Sequence, residues 1–148
     1  KKKKKASRNL ELAVFNEENS KVNQVDSWKR FALKAEEHKI KMKKILESYS
    51  TKKIIGFGSS ARSQTFLNYC GFNEKHFDLI IDNNSLKQNL YSPGTNIEIV
   101  DFDTGIKSDP EIIFILAWNF KEEIIKQCRS AGYKGEFIVP FPNIPKIL

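Results

Sequence analysis

Cysteine is scarce in this chain of 148 residues: there are two, Cys70 and Cys128, 58 positions apart. Neither belongs to a CxxC pair or stands at metal-ligand spacing from a histidine, so neither a zinc site nor a disulfide framework follows from them. Two thiols in an α/β pattern fit a reducing cytoplasm, and both read as buried and inert. No apolar run approaches the ~18–20 residues needed to cross a bilayer, and the lysine-rich start lacks the apolar stretch of a signal peptide. A membrane partner is therefore not expected. Acidic residues are few relative to basic ones, which gives a formal charge of +7. That excess is confined to one end. Residues 1–53 hold 16 Lys and Arg against 7 Asp and Glu, a net of +9, while residues 54–148 hold 9 against 11, a net of −2. The basicity belongs to an N-terminal arm beginning KKKKK, either a solvated run or a tether for a polyanion, and nucleic acid is not the expected partner of the rest.

What is present is a change of period along the chain. Residues 1–25 show no sustained pattern, although Leu10 to Phe15 could form a short strand or a helical turn. From Ser27, the residues Trp28, Phe31, Ala35, His38, Met42, Ile45 and Tyr49 recur at steps of three and four, one apolar stripe on a helix with Asp26 or Ser27 as N-cap. His38 lies on that stripe and reads as a packed structural histidine. The helix is expected to lean on the domain that follows or on a neighbour outside this sequence. Short β-branched runs then alternate with helical stretches. KKIIGF is a strand, Ser60 to Cys70 a helix stopped by Gly71, and HFDLIID a second strand ending on Asp82. After a loop from Asn83 to Leu90 with room for one helical turn, SPGT makes a turn and NIEIV a strand. IIFILA (Ile112 to Ala117) suits a strand covered on both faces. Phe120 to Ala131 forms a helix stopped by Gly132, and EFIVP a last strand. The alternation predicts a Rossmann-like three-layer α/β domain with a mostly parallel sheet, preceded by an N-terminal helix. The boundaries read as a basic arm and connecting segment over 1–25 and the domain over 26–148, its leading helix spanning 26–50.

In such sheets ligands sit at the carboxyl ends of the strands. The first strand runs into GFGSSA, where Gly56, Gly58 and Ala61 give G-x-G-x-x-A, the dinucleotide-binding spacing. The first glycine permits a tight turn, the second lets a phosphate approach the backbone, and the small third residue lets helix and strand pack closely. Ser59 and Ser60 are placed to cap a helix whose free N–H groups face an anion. Many strand-to-helix turns use glycine for geometry alone, so the spacing by itself leaves a nucleotide loop and a plain turn both open.

GFGSSARSQTFLNYCGF, IIDNNSLKQNLYSPGTNIEI, FILAWNFKEEI and GEFIVPFP occur here in one order. In that order they resemble the C-terminal domain of S-adenosylmethionine-dependent sugar C-methyltransferases, which add a methyl group to a carbon of a nucleotide-linked deoxysugar. The resemblance covers about Trp28 to Pro142, and Ala6–Ser7–Arg8 is similar to the segment that joins that domain to the preceding one. Such enzymes combine a small zinc-binding domain, a central methyltransferase domain and this Rossmann-like domain. The resemblance implies that this chain is a C-terminal piece, inactive alone, which holds the nucleotide-linked sugar. The methyltransferase domain, in the same longer protein or in a partner chain, would carry the S-adenosylmethionine, and no cofactor is expected here. Ser59–Ser60 replace Ala-Pro of the family pattern, Arg62 replaces its Lys, Ser63–Gln64 replace Gly-Asn, Asn84–Ser85 replace Asn-Pro, and Asn89 stands for a Gly while still tolerating a left-handed backbone.

The candidate substrate-binding residues are Gly56, Gly58, Ser59, Ser60, Arg62, Asp82, Asn84, Lys87 and Asn119. Arg62 either pairs with a diphosphate or is an exposed surface charge. Asp82 either meets a ribose hydroxyl or serves a turn. Its distance of 26 residues from Gly56 exceeds the usual ~20. Lys87 and Gln88 match the family's Lys-Gln or serve the turn, and Asn119 either caps the helix that follows or touches ligand. No catalytic residue and no metal ligand is predicted. The competing reading is an NAD- or nucleotide-binding module of an oxidoreductase or regulatory protein, against which no Tyr-x-x-x-Lys pair follows the glycine loop. A third is an interaction domain whose lysine arm engages a polyanion.

Overall fold

A computed structural model describes residues 7–142 and 145–148. The Lys1–Lys5 run and Ala6 lie outside the described residues. The chain divides into two compact units whose boundary falls within a helix, between His38 and Lys39.

In the first unit, residues 8–20 form helix α1 (Arg8–Ser20), where the sequence suggested a short strand or a single turn. Ser7 explains the difference: its side chain accepts the Leu10 N–H, capping the helix, and Lys21 closes it with a left-handed backbone, φ 55°. Nothing in α1 is buried, so its apolar residues give no periodic signature of a packed face. Helix α2 (Val25–Ser48) starts before both predicted caps. Asp26 lies in its first turn. Ser27 instead braces the preceding turn, its hydroxyl donating to the Lys21 carbonyl at 2.7 Å and accepting from Arg30 Nη2 at 2.8 Å. The predicted stripe divides. Trp28 and Phe31 meet edge-to-face at 6.5 Å but stay 62% and 66% exposed. In the second unit the same stripe is covered: Met42 and Leu46 are buried, with Ile45 and Tyr49 packed beside them.

The second unit is built on a six-stranded sheet: β1 (Ile54–Phe57), β2 (Ile80–Ile81), β3 (Ile99–Val100), β4 (Ile112–Ile115), β5 (Glu136–Val139) and β6 (Lys146–Ile147). The strand order is β3-β2-β1-β4-β5-β6, parallel throughout except for β6. Helices α3 (Ala61–Cys70), α4 (Phe102–Lys107) and α5 (Lys121–Ser130) provide the crossovers. Two buried clusters cover the two sheet faces. Ile54, Ile80, Ile112 and Phe114 face Met42, Phe66 and Phe77, and Ile55, Phe57, Ile113, Ile115 and Phe137 face Ile124 and Cys128. Successive strand residues point to opposite faces, so burial on both sides forces the continuous apolar runs seen in the sequence.

The predicted α/β class and mostly parallel sheet are present. Ser60 and Gly71 bound α3, with a capping box at one end and a left-handed Gly71 at the other. Asn89 does adopt a left-handed backbone, φ 63°. The sequence reading did not anticipate α4, which Asp101 caps through the Thr104 N–H, or the antiparallel edge strand β6. Both cysteines are buried, and burial pushes the Cys128 thiol up to about 11, so it is protonated at neutral pH. No described helix is long and apolar enough to cross a membrane.

Candidate functional site

The order 3-2-1-4-5 places a topological switch point between β1 and β4, where the connections leave in opposite directions and open a crevice at the carboxyl ends of the strands. Four predicted residues meet at the end of β1. Gly56 is the last strand position on the α3 face. A Cβ there would lie 2.7 Å from Leu116 Cδ1 and 3.0 Å from Ile80 Cγ1, so its smallness serves the core. Gly58 has φ 97°, and a Cβ on it would overlap that of Ala117 while standing 3.2 Å from the Ala117 nitrogen. Both glycines are thus accounted for by contacts with the end of β4. That close approach is visible in the backbone, where Leu116 and Ala117 both donate to the Phe57 carbonyl, at 2.9 and 3.0 Å.

The following serines are tied inward. The Ser59 N–H donates to Asp82 Oδ2 at 2.7 Å, and Ser59 Oγ accepts from Gln64 Nε2 at 2.9 Å. Ser60 and Ser63 exchange bonds from their amides to each other's hydroxyls, both at 3.2 Å. This capping box satisfies the Ser63 N–H, and the Gln64 N–H reaches the Ser60 carbonyl. The N–H groups of Ala61 and Arg62 enter no hydrogen bond among the described residues. Open donors at a helix start carry the positive end of the helix dipole and suit an oxyanion. The Arg62 guanidinium lies 5.8 Å over the Trp118 ring, lines one small cleft with Ser60, and pairs with no carboxylate among the described residues.

Asp82, Asn84 and Lys87 come together at the end of β2 in a different role. Asp82 is 9% exposed. Its Oδ2 accepts from the Ser59 N–H and, at 3.2 Å, from Lys87 Nζ, while Oδ1 accepts from the Asn84 N–H at 2.9 Å. Lys87 Nζ also reaches the Ser59 carbonyl at 2.6 Å, and Gln88 Nε2 donates to the Asp82 carbonyl at 3.0 Å. Asn84 Oδ1 accepts the Leu86 N–H. The group is a clamp that ties the β2 loop to the β1 loop. Sequence reasoning found its members singly, because each also fits a ligand role. That they satisfy one another was invisible across 23 residues of chain.

Asn119 lies in a 3-10 turn, Trp118–Phe120, between β4 and α5. Neither that turn nor α5 has a side-chain cap, so the capping role considered for Asn119 is not realised. Asn119 instead lines a small cleft of about 40 Å³ with Ser60, Arg62, Ala117, Trp118 and Phe120. Trp118 stands with Asn119 at the strand end, where ligands are expected, and Phe120 is the part of the site that the sequence reading missed, since it reads there as the first residue of the following helix. A larger cleft of about 620 Å³ lies at the opposite, amino-terminal edge of the sheet, beside Ile54, Phe77 and the end of α2. Its wall carries His76, whose pKa is lowered first by burial and then by Lys43. Its rim mixes Lys43, Lys52 and Lys75 with Glu47, Glu74 and Asp78, so it selects no ligand charge. Among the described residues no group of three His, Cys, Asp or Glu side chains could hold a metal ion.

Comparison with known proteins adds two findings. The family profile described as C-methyltransferase C-terminal domain matches residues 1–142. The chain is also similar to the C-methyltransferase NovU of Streptomyces niveus, 31% identical over 100 residues that make up 66% of this chain and 23% of that protein. The chain therefore spans about a quarter of the length of this curated relative.

Proposed function

Since this chain belongs to the C-methyltransferase C-terminal domain family, we propose that it is the part of a sugar C-methyltransferase that holds a nucleotide-linked deoxysugar while a separate methyltransferase domain supplies the methyl group. The observation that carries this reading is the pair of open N–H groups of Ala61 and Arg62, in the same helical turn that carries the Arg62 guanidinium, at the switch point of the sheet. One phosphate of a diphosphate fits there. The helix dipole and the guanidinium both favour a dianion, and the clamp at Ser59 fixes the loop before the ligand arrives, which lowers the entropy lost on binding. S-adenosylmethionine belongs to the methyltransferase domain in this reading, and the chain alone transfers nothing. The two buried cysteines fit a cytoplasmic role in deoxysugar synthesis. A dinucleotide reading has less support, because the acid expected to grip a ribose, Asp82, is engaged by Ser59, Asn84 and Lys87.

Arg62→Ala is expected to weaken binding of a nucleoside-diphosphate sugar by about 1–3 kcal/mol, towards the lower end because the residue is exposed. Calorimetric titration at low and high salt checks this, and the deficit should shrink as salt rises. A variant that binds as tightly as the parent at low salt would place the diphosphate elsewhere.

A further inference from the structure

We propose that the nucleoside of the ligand lies over the carboxyl end of β4, against Phe120 and the Trp118–Asn119 turn, and not over β2. This inference rests on the diphosphate reading above and assigns the direction in which the rest of the ligand leaves that point.

On the β2 side the acid that would grip a ribose is already engaged. Both Asp82 oxygens accept internal hydrogen bonds, and Lys87 fills the space between Asp82 and the Ser59 carbonyl. The Asn84 N–H is spent on Asp82 and the Leu86 N–H on Asn84. A ribose hydroxyl arriving there would have to break the clamp that holds the glycine loop in place.

The β4 side is the reverse. Trp118 packs on Phe141 with ring centroids 4.6 Å apart, and Phe141 packs on buried Phe66 at 5.3 Å, so the indole plane is fixed from below. Arg62 lies over that indole and links the phosphate point to the aromatic ground. Phe120, one turn position further, is 58% exposed and has no ring partner among the described residues. Asn119, between them in sequence and lining the same cleft, is exposed and unused as a cap, and its amide offers one acceptor and two donor hydrogens. A nucleobase needs an aromatic face to stack on and a polar group at its edge, and this turn offers both beside the diphosphate point. The 40 Å³ cleft does not admit a ring, so the base lies across its mouth with Phe120 beneath it.

The test compares inorganic pyrophosphate with thymidine and uridine diphosphates by calorimetric titration. The ratio of affinities isolates what the nucleoside adds. Phe120→Ser should leave pyrophosphate affinity unchanged and cut the nucleoside increment about tenfold, the scale of one base–aromatic stack. Leu86→Ser, on the 84% exposed residue of the β2 loop, should change neither. In a Trp28→Phe background Trp118 is the remaining tryptophan of the two, and its fluorescence should respond to the nucleoside diphosphates more than to pyrophosphate. The inference is overturned if Phe120→Ser keeps the full increment, or if Leu86→Ser loses it. It is equally overturned if the parent binds pyrophosphate and the nucleoside diphosphates alike, a result that leaves the phosphate point standing. A parent that binds none of the three defeats the diphosphate reading itself, and this inference with it.

Discussion

Gly58→Ala is expected to lower the unfolding free energy by about 2–6 kcal/mol. Two separate costs add. A residue with a Cβ held at φ 97° is strained by roughly 1–3 kcal/mol. The new methyl also overlaps Ala117 Cβ and crowds the Ala117 backbone nitrogen at 3.2 Å. Neither of those atoms can swing aside as a side-chain end would, so overpacking adds about 1–3 kcal/mol. Ala117→Gly in the same chain removes the overlap and leaves the strain, so the double variant should recover roughly half of the loss. Urea unfolding of the four proteins at 25 °C provides the comparison. A Gly58→Ala protein within about 0.5 kcal/mol of the parent would mean that the loop relaxes freely and that the approach of β1 to β4 is not what selects glycine. The consequence for function is indirect. A bulky residue at position 58 would impair ligand binding by shifting the loop, whether or not it also blocked a phosphate.

The second large effect is expected at Asp82. Removing its carboxylate with Asp82→Ala leaves the Ser59 and Asn84 N–H groups without acceptors, the first in a residue only 6% exposed. It also leaves Lys87 with the Ser59 carbonyl alone. Each unsatisfied buried donor costs about 1–3 kcal/mol, and the partly exposed lysine, 38% accessible, adds less. A total loss of about 2–4 kcal/mol follows. Lys87→Met should cost about 1 kcal/mol or less, and the two changes together should cost less than their sum, because they dismantle one clamp. Hydrogen exchange at the bonded amides of Ser59 and Ser60 should speed up in both variants without any ligand present. If Asp82→Ala were as stable as the parent but lost nucleotide-sugar binding, Asp82 would be a ligand contact and the clamp would be incidental.

Most of the fold was legible in the sequence because its signals are local. Ser60 and Gly71 mark the ends of α3 by capping chemistry that needs only neighbouring residues. The apolar IIFI of β4 reads as doubly covered because no polar face interrupts it. Where the reading fell short, the deciding contacts are distant. The start of α2 was misplaced because Ser27 bonds back to Lys21 instead of capping, and β6 exists only through its antiparallel pairing with β5. The glycine spacing is the clearest case. Its pattern matches a phosphate loop, yet the space beside Gly56 is filled by Leu116 and that beside Gly58 by Ala117, about 60 residues later. The same pattern can arise from packing, and what remains for a ligand is the start of α3 with Arg62. The aromatic turn at Trp118–Phe120 carries no motif that separates a ligand surface from the core, because the distinction lies in exposure alone.

The measurement closest to the central claim is a thermal-shift panel on the unmodified chain with thymidine-diphosphate and uridine-diphosphate sugars, NAD and S-adenosylmethionine. A ligand at about one hundred times its dissociation constant stabilises the folded state by about 2.7 kcal/mol, a rise of several degrees in Tm for a chain of this length. A nucleotide-sugar site predicts such a rise with at least one of the sugar nucleotides and none with NAD or S-adenosylmethionine. Stabilisation by NAD or S-adenosylmethionine, with the sugar nucleotides silent, would contradict it.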